Sequence, residues 1–207
     1  MTTDAFSVVA LGAMRMQQGR FDAIANNLAN LSTTGFRLQR PVTTEMVGAL
    51  GGPSLSMSRL GALLTPDVPG SVAKTGAPLD LALTGDGFFV VEGPGGQELT
   101  RNGRFSTAAD GRLVAADGAS VLGAGNAPIL IPASAGDLVV AEDGTVSADG
   151  AVVGQIAVVA ADPLGLERRA GARFAMPVDA RPVEIPRIVQ GAIETANVDP
   201  VSEMASI

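Results

Sequence analysis

The chain has 207 residues, 46% hydrophobic and 17% charged, with a net charge of −7. That is a folding composition, but it excludes a nucleic-acid footprint: Lys74 is the one lysine, the arginines are scattered, and the only tight pair is Arg168–Arg169. Histidine and cysteine are both absent, which removes Cys nucleophiles, Ser–His and Cys–His pairs, zinc sites built on either residue, and disulfides.

In chain order the first element is a helix, assigned to residues 1–32. Phe21, Ile24, Leu28 and Leu31 fall at 3-4-3 spacing, and heptad steps backwards reach Met14 and Ala10. At 1.5 Å per residue this is a rod of about 40 Å. Its apolar seam is narrow, so it needs a partner helix, within its own domain or on another copy. The opening "MTTDAFSVVALGAMRMQQGR" has no basic region ahead of its apolar residues and does not read as a secretory signal. No apolar run approaches the roughly 18 residues that span a bilayer.

The helix end, "ANNLANLSTTGF", carries Asn26, Asn27 and Asn30, each a poor helix former. Gly35 reads as a C-terminal cap, and helix termination also covers Asn30. Termination does not explain Asn26 and Asn27. Their amides make sense if they hydrogen-bond across helix contacts and fix register.

Residues 33–75 read as an irregular linker, with turns at "STTG", "GGPSLS" and "TPDVPG" and a short helix over "VTTEMVGALGG". Residues 76–190 read as an antiparallel β-domain. Leu79, Leu81 and Leu83 alternate with Asp80, Ala82 and Thr84, the period of a half-buried strand. Asp-Gly at 86–87, 110–111, 117–118, 143–144 and 149–150, with Asn-Gly at 102–103, signals hairpin turns. "FFVVE", "APILIP", "DLVVAE", "TVSA" and "VVGQIAVVAA" supply strands. Residues 191–207 begin a C-terminal helix in which Asp199 caps, Pro200 occupies the first turn and Glu203 lies near the positive end. Val201 and Met204 start an apolar stripe. The fold expected is mainly β with terminal α-helices: an antiparallel β-domain inserted between an N-terminal helix and a short C-terminal helical segment.

Chemistry finds little support. The Asp-Gly spacing fits neither an EF-hand loop nor a calcium-binding β-helix repeat. Asp80, Asp86, Glu92 and Glu98 are explained as strand ends and turns, Lys74 as a surface residue. "LGAGNAP" and "GGPSLSMSRLG" match neither the dinucleotide fingerprint nor the phosphate loop. No catalytic residue, cofactor, metal or small-molecule substrate is expected.

Four stretches in order carry a resemblance: "IANNLANLSTTGFR", "PLDLALTGDGFFVVE", "LTRNGRFSTAADGRLV" and "GAIETANVDPVSEM". Together they resemble the bacterial flagellar basal-body rod family, the rod and hook subunits. "SVLGAGNAPILIP" and the modest length are more similar to the proximal rod protein than to the distal one. The resemblance implies a structural subunit that stacks helically, with copies of itself and homologous subunits, into the shaft crossing the periplasm. It implies terminal helices paired around the export channel, disordered before assembly, and export by the flagellar type III apparatus without a cleaved signal peptide. The assembly interface it implies comprises Met14, Phe21, Ile24, Asn26, Asn27, Leu28, Asn30, Leu31, Gly35, Phe36, Val198, Val201 and Met204. Family members continue the last helix several turns beyond the position of Met204, so a shortened C-terminus is expected. The rival readings are the distal rod protein and a soluble β-rich binding module with an oligomerising N-terminal helix.

Overall fold

The computed structural model describes residues 2–48, 55–65, 68–162, 165–170 and 172–205. The chain divides into two compact units: Met1–Leu31, Leu38–Pro66 and Val198–Ile207 form the first, Ser32–Arg37 and Asp67–Asn197 the second.

The first unit contains α1 (Thr2–Ala29), β1 (Arg40–Gly48), β2 (Leu55–Leu64) and α2 (Pro200–Ala205). α1 ends at Ala29, where the Asn30 N–H reaches the carbonyls of both Asn26 and Asn27 at 3.2 Å. Gly35 lies beyond this point and is therefore not the helix cap. β1 and β2 form an antiparallel hairpin where the sequence reads as a linker with a short helix. Val42, Thr43, Thr44 and Val47 are β-branched, and their strand preference wins over the helical spacing. Residues 49–52 of that expected helix lie outside the described residues. The register shifts between Pro41 and Thr43, next to a proline that has no N–H for the ladder. α2 begins as expected, with the Val201 N–H donating to Asp199 Oδ1 at 3.1 Å and the Ser202 hydroxyl to Oδ2 at 2.5 Å.

The second unit opens with β3 (Val72–Lys74), β4 (Leu81–Leu83) and the central strand β5 (Phe88–Gly93). Then come β6 (Gly96–Thr100), β7 (Phe105–Thr107), β8 (Leu113–Ala115) and β9 (Ser120–Val121). β10 (Leu138–Val140), β11 (Thr145–Ala148) and β12 (Ala151–Gln155) form a three-stranded sheet. The chain returns through β13 (Val158–Ala160), β14 (Arg173–Ala175) and β15 (Arg181–Pro182). It closes with β16 (Ile188–Gln190) and β17 (Ala192–Glu194), which pair with β4 and β3. All the pairings are antiparallel, and the main sheet runs β14-β6-β5-β9-β8-β7 with β13 also on β5.

β5 is central because its run of apolar residues is buried on both faces. Phe89 and Val91 enter a core with Leu81, Phe105, Val121, Val146 and Ile188, the rings of Phe89 and Phe105 meeting edge-on at 5.2 Å. Phe88 and Val90 enter a second core with Leu99, Leu122, Leu166 and Phe174. β4 differs from the half-buried strand expected of it, because Ala82 is covered as fully as Leu81 and Leu83. "APILIP" forms isolated bridges at Pro128 and Leu130, since its prolines cannot donate to a ladder. "VVGQIAVVAA" splits into β12 and β13, which lie in different sheets.

Four Asp-Gly pairs close hairpins (β7–β8, β8–β9, β10–β11 and β11–β12), and the glycine has positive φ in each. Asp110, Asp117 and Asp143 each accept a hydrogen bond from the N–H two residues on, which fixes the turn. Asp86-Gly87 and Asn102-Gly103 join strands that do not pair with each other. Gly103 is needed for a different reason: a Cβ there would lie 1.6 Å from the Leu81 carbonyl oxygen.

Candidate functional site

In the first unit α1 turns two faces in different directions. Ala23, Ile24 and Asn27 are buried, and the helix packs on β1 and β2. Leu11, Met14 and Phe21 are 49%, 70% and 58% exposed. At 100° per residue these three fall within about 80° of one another, with Phe21 about 60° from Ile24 at the edge of the buried residues. On α2, Val201 and Met204 are also exposed.

The asparagines separate into two roles. Asn27 is 1% exposed and uses its whole amide inside the chain. Its Nδ2 donates to the Gln39 carbonyl and to Glu203 Oε2 of α2, both at 2.9 Å, and its Oδ1 accepts the Gln39 N–H at 2.8 Å. A buried amide so satisfied adds specificity without an orphan donor. Asn30 donates locally to the Asn26 carbonyl at 2.9 Å. Leu28, Leu31 and Val198 are half-buried.

Gly35 and Phe36 belong to the second unit, where both are buried. Gly35 has φ +66°, and a Cβ there would sit 2.3 Å from the Arg101 backbone carbon. Its N–H donates to the Glu194 carbonyl at 2.8 Å. Glu194, 1% exposed, is the centre of a buried ion cluster. Its Oε1 lies 3.2 Å from Arg37 Nη2 and accepts the Gly70 N–H at 2.9 Å, while its Oε2 is 3.3 Å from Arg101 Nη1. Arg101 also donates to the carbonyls of Leu83 and Gly85, with its guanidinium 5.2 Å above the Phe88 ring.

Arg168 closes the other side. Its guanidinium lies 4.7 Å from the ring of Phe36 and 4.8 Å from that of Phe174, and its Nη2 donates to the Arg37 carbonyl at 2.5 Å. Burial lowers this guanidinium to about 10, which still leaves it charged at neutral pH. All four quoted motifs thus supply part of this cluster: Arg37, Glu194, Arg101, and the Leu83, Gly85 and Phe88 side. The charges were not singled out in the sequence, although Arg37 is the one charge in its motif; Arg101 and Glu194 stand among other charged residues that mask them. Arg168 carries no such signal beyond its pairing with Arg169.

Of the acidic residues weighed for chemistry, Glu98 pairs with Arg173 Nη1 at 2.9 Å, and Asp80 is buried, its backbone carbonyl accepting the N–H groups of Gly191 and Ala192. Asp86, Glu92 and Lys74 are exposed. A groove of about 500 Å³ is lined by Val90, Gln97, Asn126, Asp143, Met176 and Pro182. Of its carboxylates, Asp143 is held by Thr145, whose N–H and hydroxyl keep it below the usual value. Among the described residues no three potential ligands gather to hold a metal, and no helix is long and apolar enough to cross a membrane.

Comparison with known proteins adds a second line of evidence. Residues 9–37 match the family described as "Flagella basal body rod protein", and residues 82–148 match "Flagellar hook protein FlgE/F/G D1 domain". The chain is 36% identical to flagellar basal-body rod protein FlgF of Mesorhizobium japonicum, over 96% of this chain and 84% of that protein. With FlgF of Caulobacter vibrioides the identity is 34% at the same coverage. With flagellar basal-body rod protein FlgG of Bacillus subtilis it is 32%, over 66% of this chain and 58% of that one.

Proposed function

The chain belongs to the flagellar basal-body rod protein family, and on that footing we propose that it works as a subunit of the proximal rod. It is a structural subunit of the basal body, in a family of structural proteins rather than enzymes, and it associates with other rod or hook subunits. The observation that carries the reading is the apolar side of α1, at Leu11, Met14 and Phe21, left in water together with Val201 and Met204 of α2. Single exposed apolar residues are ordinary, but a helix that among its described residues is covered only at Ala23, Ile24 and Asn27, and leaves Leu11, Met14 and Phe21 open, is built for another neighbour. That neighbour is an adjacent rod subunit. A helical stack needs two complementary patches per subunit, and the two terminal helices supply one of them.

Ile24, Asn27, Gly35 and Phe36 are spent within the subunit, so the interface reduces to the exposed apolar residues, flanked by Asn26, Leu28, Asn30, Leu31 and Val198. Helices that gain much of their burial only on meeting neighbours suit passage through the flagellar type III apparatus unfolded, without a cleaved signal peptide. The assembled shaft then spans the periplasm.

Replacing Met14 and Phe21 together by Glu tests this, because burying two carboxylates in an apolar contact costs several kcal/mol. The variant is expected to be missing from isolated basal bodies and to leave cells non-motile, with the unfolding midpoint of the second unit unchanged. Normal incorporation would overturn the assignment. Since the chain has no cysteine, a single Met14→Cys provides a unique crosslinking site. The neighbour it captures separates a proximal from a distal position.

A further inference from the structure

We propose that the buried Glu194–Arg37–Arg101 cluster couples the short segment 32–37, which lies between two crossings of the chain from one unit to the other, to the segment 192–197 that precedes the last crossing, so that the two order or release together. Arg37 stands on the segment that follows α1, Glu194 on the strand that precedes α2. Backbone bonds run both ways between these segments, from the Gly35 N–H to the Glu194 carbonyl at 2.8 Å and from the Asn197 N–H to the Phe36 carbonyl at 3.3 Å. The side chains make the pairing close to all-or-none. Arg37 is 2% exposed and Glu194 1%, so lifting either segment alone strips a buried charge of a partner. Breaking one partner of a buried pair is far costlier than never having built the pair. Arg168 adds a third tie, gripping Phe36 and the Arg37 carbonyl from a hairpin of the same unit.

The consequence concerns the free subunit, and it rests on the reading that the terminal helices order on assembly. In that state the β-unit retains both segments, and the disordered lengths begin at Leu31 and Val198. An assembling helix then starts from a fixed anchor, and its partner at the other end of the sequence starts beside it.

Hydrogen exchange on the dilute full-length chain tests the coupling. In the wild type the Gly35 and Asn197 amides are expected to exchange at least a hundredfold slower than in an unfolded chain. Arg37→Met should accelerate both at least tenfold, while Val90 and Leu99 in β5 and β6 keep their rates. Glu194 retains Arg101 and the Gly70 N–H in that variant, which favours an intact β-unit. Should β5 and β6 also accelerate, Arg37→Lys keeps the cation with a shorter reach and is expected to speed Gly35 and Asn197 by a common factor. Asn197 unchanged while Gly35 accelerates, in whichever variant retains the β-unit, overturns the coupling. So does exchange of either amide at the unfolded rate in the wild type. Slow exchange of α1 amides in that same sample would instead overturn the reading of helices that order on assembly, leaving the coupling to be decided by Asn197.

Discussion

At Gly103 the backbone passes so near β4 that a single added carbon would collide with the Leu81 carbonyl oxygen. Gly118 has φ +84° with nothing within 4 Å of the Cβ it lacks. Substituting Ala therefore has different consequences at the two sites. Gly103→Ala must displace backbone in a packed core and is expected to cost about 3 kcal/mol. Gly118→Ala carries only the strain of positive φ, about 1 kcal/mol. Urea unfolding of the two variants measures the difference, and equal losses would show that the close approach at Gly103 relaxes without penalty. Both glycines follow an Asx residue, and sequence pattern alone assigns both to hairpins. What separates them is a neighbour some twenty residues away, which no local signal contains. Asn27 shows the same limit: its unusual chemistry stands out, but its partners Gln39 and Glu203 emerge only from the fold.

Among the elements, α2 is the one whose stability rests most visibly on a single side chain. Its cap, Asp199, is held below the ordinary value of 3.8, first by the Ser202 hydroxyl and then by the Val201 N–H. A depressed carboxylate contributes stability that is fully present above its unfolded value and is lost as pH falls through its folded one. Where the terminal helices are ordered, in the assembled subunit, α2 should accordingly fray below about pH 3.8, with Asp199→Ala frayed already at neutral pH and less sensitive to acid. Amide exchange in residues 200–205 between pH 5 and 3 follows this, and a variant that retained the wild-type acid response would refute it. The cap was legible in "VDPVSE" because capping is local chemistry. So was β5, whose four consecutive apolar residues have few alternatives to a strand buried on both faces. The β1–β2 hairpin was not. A turn is read at "GGPSLS", but apolar spacing in "VTTEMVGALGG" satisfies a helix until β-branched residues and the pairing with β2 decide otherwise.

For the whole molecule, the motifs that mark the family and the surface that would build the filament are largely different sets of residues. The "STTGFR" stretch, which follows α1 in the sequence, serves the second unit, since Phe36 is 2% exposed and stacks with Arg168 while Arg37 meets Glu194. Two truncations expose that division. Residues 32–197 contain every member of the cluster and both cores, together with the β1–β2 hairpin of the first unit, so their main unfolding transition should be that of the second unit, without assembly through α1. Residues 67–197 retain the cores but lose Phe36 and Arg37. Burial of a Phe is worth about 1.5–3 kcal/mol, and its contact with a guanidinium about 0.5–2 kcal/mol more. Glu194 still holds Arg101 and the Gly70 N–H, which limits the electrostatic loss. The shorter fragment is therefore expected to be about 3 kcal/mol less stable, yet folded, by denaturant titration. Equal stability would mean that the segment after α1 rests on the β-unit without contributing to it, and the family motif would then have to be explained by contacts outside the subunit.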